Sequence, residues 1–131
     1  MNKNLAITCI FGLTAIILGA FTTHGLQDVL TSKEMSSLET GIRYQIYHVI
    51  VLLFVNTYTS FSNKLKNYVS YVFFFGIFLF SGSIYAIYIF NYPAKSIWFV
   101  TPIGGLLFMI GWVLMIHFFL LKVINKKKWI K

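Results

Sequence analysis

The sequence predicts an all-α integral membrane protein. Its single transmembrane domain is a four-helix antiparallel bundle with both termini in the cytoplasm and a short interfacial helical segment in the first outer loop. Three observations lead there. Hydrophobic residues make up 58% of the 131 positions and charged residues only 11%, whereas a soluble domain carries about 25% charged residues. Mean hydropathy is +0.77, and too little polar surface remains to coat a water-soluble globule, so lipid has to be the solvent. The apolar residues fall in four runs, at residues 5–22, 42–60, 68–90 and 98–121, each close to the ~20 residues that cross a bilayer core.

The first run follows Lys3 and has the outline of a signal peptide. Its end, "GAFTTHG", lacks an A-x-A cleavage pattern and three more spans follow, which favours an uncleaved helix. Cys9 is the only cysteine, so no internal disulfide forms, and no CxxC or Cys/His spacing suggests zinc. Thr8, Gly12, Ala15, Gly19 and Thr22 recur at helical spacing and give this span one small-residue face. Helices in a bilayer associate through such faces because lipid tails are as apolar as leucine.

In the connection after the first span, Leu26, Val29, Leu30, Met35 and Leu38 are spaced for short amphipathic turns, and Ser32 before Glu34 is a helix-start signal. One or two interfacial helices over the bundle mouth are predicted there. The second span opens on "RYQIYH" and carries no small-residue seam. The third contains Gly76, Gly82 and Ala86, with Ser81 and Ser83 beside them; the fourth opens on "TPIGG" and contains Gly104, Gly105 and Gly111. Gly12, Gly19, Gly76, Gly82, Gly104, Gly105 and Gly111 are therefore the expected packing glycines, and Pro102 is an early-turn proline. The short connections at 61–67 and 91–97 make neighbouring spans antiparallel. No internal repeat is visible, which argues against an inverted-repeat transporter within one chain.

Eleven Lys/Arg against three acids give a net charge of +8. Four spans put both termini and the 61–67 connection on one side, with Lys3, Lys64, Lys66, Lys122, Lys126, Lys127, Lys128 and Lys131. Lys33, Arg43 and Lys95 lie on the other. The positive-inside rule places the first side in the cytoplasm and makes topology, not nucleic acid, the reason for the excess. Tyr68, Trp98 and Trp129 near the span ends suit the interface. Lys/Asn/Ile/Phe-rich usage suggests a bacterial source, and the expected location is the bacterial cytoplasmic membrane.

The topology also gathers polar residues. His24 closes the first span, and Arg43, Tyr44, Gln45, Tyr47 and His48 open the second. Ser81, Ser83 and Tyr85 lie in the outer half of the third, and Thr101 at the start of the fourth. Glu39 stands one turn before Arg43, so the two can pair on one helix face. An intramembrane charge costs a few kcal/mol unless it is paired or snorkels to the interface. This outer cluster has two readings: a structural clasp joining helix ends, or a site for a polar or anionic headgroup with Arg43 as charge partner. Bis-histidine haem ligation by His24 and His48 would need both imidazoles to face across the bundle. The cytoplasmic half offers Asn56, His117 and lysines, with no comparable cluster expected.

The stretches "GAFTTHGL", "ETGIRYQIYHVIVLL", "FSGSIYAI" and "TPIGGLLFMIGWVLM" together resemble the family known as domain of unknown function 423, over nearly the whole chain and in the same order. The resemblance implies a four-helix integral membrane protein with no established activity. Positions that match the family pattern include Gly19, His24, Gly25, Arg43, Tyr44, Gln45, Tyr47, His48, Ser81, Gly82, Ser83, Tyr85, Thr101, Pro102, Gly104, Gly105, Gly111 and Trp112. One departure is Thr22 and Thr23, where the family typically has Gly-Ala; the added bulk and hydroxyls alter packing at that helix end.

No Ser/His/Asp grouping, paired carboxylates, phosphate loop or metal-ligand set suggests an enzyme, and no cofactor is expected. The leading expectation is an accessory subunit of a larger membrane complex, with other membrane subunits or a homo-oligomer as partners besides the bilayer. The alternative is a binding or transport module for a lipid headgroup, quinone or small amphiphile at the outer leaflet.

Overall fold

A computed structural model describes residues 2–128 of the chain. Trp129 and Lys131 lie outside the described residues, as do the side chains of Lys126, Lys127 and Lys128. The described residues form five helices and no strand: α1 (Asn2–Gly25), α2 (Ser32–Thr57), α3 (Asn63–Tyr88), α4 (Ala94–Ile97) and α5 (Val100–Lys128). Four helices are long and apolar enough to cross a membrane, the last of them formed by α4 running into α5.

Local chemistry sets the helix ends. Thr31 caps α2: its Oγ1 accepts from the Glu34 backbone N–H, and the Glu34 carboxylate accepts from the Thr31 backbone N–H. Such a reciprocal box satisfies two of the orphan donors at a helix start. Ser62 caps α3 by a single bond, its Oγ accepting from the Leu65 backbone N–H. Beyond α3 the chain reverses through Asn91 at φ 53°, a left-handed conformation that asparagine tolerates better than most residues.

The capping box corrects the first-loop expectation. Residues 32–41 are not a separate interfacial helix over the mouth; they are the first turns of α2, continuous with the span. Leu38 is the reason. It is fully buried against Ile84 and Tyr85 of α3, with Leu26 and Leu30 packed around it. A helix lying flat on the interface would lose that contact. Only the short turn at residues 26–30 remains as a connection.

The main interfaces are α1 on α2, α2 on α3 and α3 on α5. The α2/α3 pair is therefore central. Half of the α3 apolar window is buried, against 17% for α1 and for the α4–α5 span, whose outer faces are left to lipid. The small face of α1 lies against α2, with Thr8, Ala15 and Thr22 buried, Gly12 beside Val49 and Gly19 beside Ile42.

Packing of α3 on α5 follows a rule of exchanged sizes. A Cβ on Gly111 would meet the Phe73 ring, one on Gly76 the Phe108 ring, and one on Gly104 the backbone of Phe80. Read up α3 the order is large, small, large (73, 76, 80); read down α5 it is small, large, small (111, 108, 104). Each glycine makes room for a phenylalanine of the antiparallel partner, which brings the two backbones close. Gly105 makes only ordinary contact with Phe80, and Gly82 faces open space with nothing within 4 Å of its Cβ position. Gly82 is thus not a packing glycine in this bundle.

The end of the bundle carrying the termini is aromatic. Phe54, Tyr58, Phe61, Phe118 and Phe119 form a ring cluster, and the Lys122 ammonium lies 5.1 Å from the Phe118 ring and 5.4 Å from that of Tyr58. A lysine over aromatic faces keeps its charge at the interface while its stem stays in apolar surroundings.

Candidate functional site

At the opposite end, near the 26–30 and 89–93 connections, the topology brings the outer polar residues to one level. Their directions around each helix axis then divide them into separate contacts. Gln45 points toward α1: its Nε2 donates to the Phe11 carbonyl at 2.7 Å and to Thr14 Oγ1 at 3.0 Å, while its Oε1 accepts from the Tyr85 hydroxyl at 2.8 Å. Three helices are tied by this one amide. Interhelical hydrogen bonds in bilayers average about 0.6 kcal/mol and reach about 1.7. Tyr85→Phe is therefore expected to cost roughly 1 kcal/mol in detergent unfolding; an unchanged unfolding curve would show that the bond contributes nothing.

His48 points instead toward α5. Its ring stacks on Phe108, with centroids 3.6 Å apart and planes 6° from parallel, and leans on Phe73 at 5.2 Å. Nδ1 lies 2.7 Å from the Tyr44 carbonyl, which only accepts, so Nδ1 carries the proton. Nε2 is buried and has no hydrogen-bond partner. With His24 exposed at the end of α1 and His48 sealed under Phe108, the two do not form an axial-ligand pair. Among the described residues, no group of three or more His, Cys, Asp or Glu could hold a metal.

The remaining members serve helix pairs. Ser81 Oγ donates to the Gly41 carbonyl at 2.6 Å, joining α3 to α2. Gly41 lets the chains approach there, since a Cβ would meet Ile84 at 3.3 Å. Ser83 Oγ donates to the Phe80 carbonyl and shares a hydrogen bond with Thr101, joining α3 to α5. Tyr44 is half-exposed and stacks on Phe80 at 4.8 Å; Tyr47 is exposed.

Arg43 and Glu39 stand apart from all of these. Their side chains pair at 3.6 Å and are more than half exposed. Beside them runs a groove of about 420 Å³ between α1 and α2, lined by Gly19, Thr22, Thr23, Glu39, Ile42, Arg43 and Ile46. Thr22 is 1% exposed, and its hydroxyl oxygen has no hydrogen-bond partner. Thr23 donates to the Gly19 carbonyl. The groove thus combines a cation and an anion with an apolar floor, the Thr22 hydroxyl being buried beneath it and that of Thr23 committed to Gly19.

The end carrying the termini is not polar-poor, contrary to expectation. Asn4 Nδ2 donates to Asn56 Oδ1 at 3.1 Å and to Asn67 Oδ1 at 2.9 Å. Asn56 Nδ2 donates in turn to Ser70 Oγ at 2.8 Å and to the Leu52 carbonyl. Thr8 donates to the Asn4 carbonyl, and Lys66 Nζ to the Asn56 carbonyl at 3.1 Å. Asn4, Thr8, Asn56, Lys66 and Ser70 are all buried. The sequence signal for them is one of spacing. Asn4/Thr8 and Lys66/Ser70 are i,i+4 pairs on single helix faces, and Asn56 is an isolated amide in an apolar span.

A family model described as "Protein of unknown function (DUF423)" matches residues 18–105. The chain belongs to this family. The stretch matched as DUF423 runs from the outer part of α1 to the first turns of α5 and contains the whole rim. Relatives are similar over most of their own length. A UPF0382 membrane protein of Haemophilus influenzae is 40% identical over 112 residues, 86% of this chain and 89% of its own. One from Staphylococcus epidermidis is 38% identical over 116 residues, 88% and 93% of the two chains. The UPF0382 inner membrane protein YgdD of Escherichia coli is 35% identical over 114 residues, 86% and 85%. No solved structure matches at a significant level. This DUF423 chain is a small multi-pass membrane protein, with the lipid bilayer as its surroundings.

Proposed function

We propose that the chain is a binding module for the headgroup of a zwitterionic amphiphile, held in the groove between α1 and α2. The observation that carries this reading is the pairing of Arg43 with Glu39 at the mouth of an apolar groove. Arg43 suits a phosphate, since a guanidinium complements its oxygens. Glu39 suits an ammonium, and Ile42 and Ile46 the start of an acyl chain. An outer-leaflet position for this groove is supported by the basic residues of the opposite end, through the positive-inside rule.

The accessory-subunit reading has less support. Helices associate in lipid through small or polar seams, and the small seam of α1 already lies on α2. What α1 and α5 leave exposed is bulky: Ile10, Leu13, Ile16 and Ile17, then Leu106, Met109, Val113 and Ile116. Crosslinking at native expression level followed by gentle extraction tests it, and recovery of a stoichiometric heteromeric complex would restore it.

For the binding module, the full chain in detergent is titrated with phosphatidylethanolamine and followed by thermal unfolding. A ligand at a hundred times its Kd stabilises by about 2.7 kcal/mol. Arg43→Gln is expected to remove most of that gain while leaving the ligand-free midpoint nearly unchanged, because exposed ion pairs contribute about 0–1 kcal/mol. A full ligand response in the variant would remove Arg43, and with it the proposed site.

A further inference from the structure

We infer a second lipid site at the other end of the bundle, specific for an anionic phospholipid and independent of the rim groove. One face of α3 forms a groove of about 490 Å³, lined by Lys64, Asn67, Tyr68, Tyr71, Val72, Phe75 and Leu79, with Leu107 of α5 as its side wall. Its polar groups are all at one end. From Lys64 to Leu79 the groove runs about 22 Å along the helix, at 1.5 Å per residue. That is about half the thickness of a bilayer with its headgroups, so it spans one leaflet from headgroup level to the midplane.

Charge identifies the occupant. Lys64 is exposed at the mouth, and every acidic side chain (Asp28, Glu34 and Glu39) lies at or beyond the other end of the bundle. The grooves between α1 and α3 (Ile7, Phe11, Phe74, Phe78) and along α5 (Met115, Ile116, Phe119, Leu120) have no charged residue at all. Those two are ordinary lipid-facing surface. Of these grooves along the described residues, the one on α3 joins a cation and an amide, at headgroup depth, to an acyl-length apolar track. A phosphodiester with net negative charge fits Lys64 and Asn67, the tyrosine rings of Tyr68 and Tyr71 sit at the interface as such rings prefer, and one acyl chain lies along Val72, Phe75 and Leu79.

The test uses the full chain in vesicles of equal phosphatidylglycerol and phosphatidylethanolamine, extracted gently and weighed with its retained lipids by native mass spectrometry. The wild-type chain is expected to retain phosphatidylglycerol preferentially. Lys64→Gln is expected to lower that preference about fivefold, the effect of one basic residue at an anionic surface. Lys122→Gln, whose ammonium lies over Phe118 and Tyr58 instead, should leave the preference unchanged. Val72→Trp, which fills the track, should reduce retained phosphatidylglycerol without altering charge. Equal retention of the two lipids by the wild-type chain overturns the site, and so does an equal loss in the Lys64 and Lys122 variants, which would mean a diffuse field. Covalent dimers formed through Phe75→Cys in a Cys9→Ser background would place a second copy on this face and also overturn it. Because Lys64 and Arg43 lie at opposite ends, failure here leaves the rim groove standing.

Discussion

Gly104→Ala is expected to destabilise the bundle by about 3 kcal/mol, at the upper end of what overpacking costs. The added Cβ would clash with the backbone nitrogen of Phe80 and lie 2.7 Å from its Cα. Backbone cannot swing aside as a ring can, so α3 and α5 must separate and the exchange of glycine and phenylalanine along their contact is disturbed. Helix propensity acts in the opposite direction, since alanine is favoured over glycine by about 1 kcal/mol. Gly82→Ala isolates that gain: its Cβ meets nothing within 4 Å, and the variant should be neutral or slightly more stable. Thermal or denaturant unfolding in one detergent compares the pair. Equal midpoints for the two variants would refute the close approach at Gly104.

Asn56→Leu is the second large effect, with an expected loss of roughly 2–3 kcal/mol. The side chain makes three hydrogen bonds, to Asn4, Ser70 and the Leu52 carbonyl, in a site with no exposure. Removing it strands part of the Asn4 amide and the Ser70 hydroxyl, and a buried group without its partner costs about 1–3 kcal/mol. The double variant Asn4→Leu/Asn56→Leu should recover part of the loss, because the stranded amide goes too. Simple additivity of the two single variants would show that Asn4 and Asn56 are not coupled.

These two positions illustrate what a linear reading sees. Four apolar runs are visible because a bilayer demands ~20 apolar residues in a row, and that demand is local in sequence. The start of α2 is harder. Hydropathy registers the span only from Ile42, yet Thr31 and Glu34 begin the helix ten residues earlier, and Leu38 holds those turns against α3. Polar residues pose a different difficulty. Chain order is enough to put Gln45, His48, Ser83 and Tyr85 at one level, but neighbouring positions on α2 turn to different partners. Gln45 meets α1 and His48 meets α5, so one expected cluster becomes several helix-joining contacts, with Arg43 and Glu39 left at a groove. Asn4, Asn56 and Asn67 are the converse case. They sit on three different helices, and nothing short of the three-dimensional arrangement says that they meet.

The bonds of α1 also constrain how the molecule can move. This helix is tethered near its start through Asn4 and again, about 10–15 Å further along, where Gln45 reaches the Phe11 carbonyl and Thr14. A piston stroke of even one residue's rise would stretch bonds of 2.7–3.1 Å at both tethers simultaneously. The register of α1 against its neighbours is therefore fixed at two separate levels, and any sliding of α1 along α2 has to break both sets of bonds together.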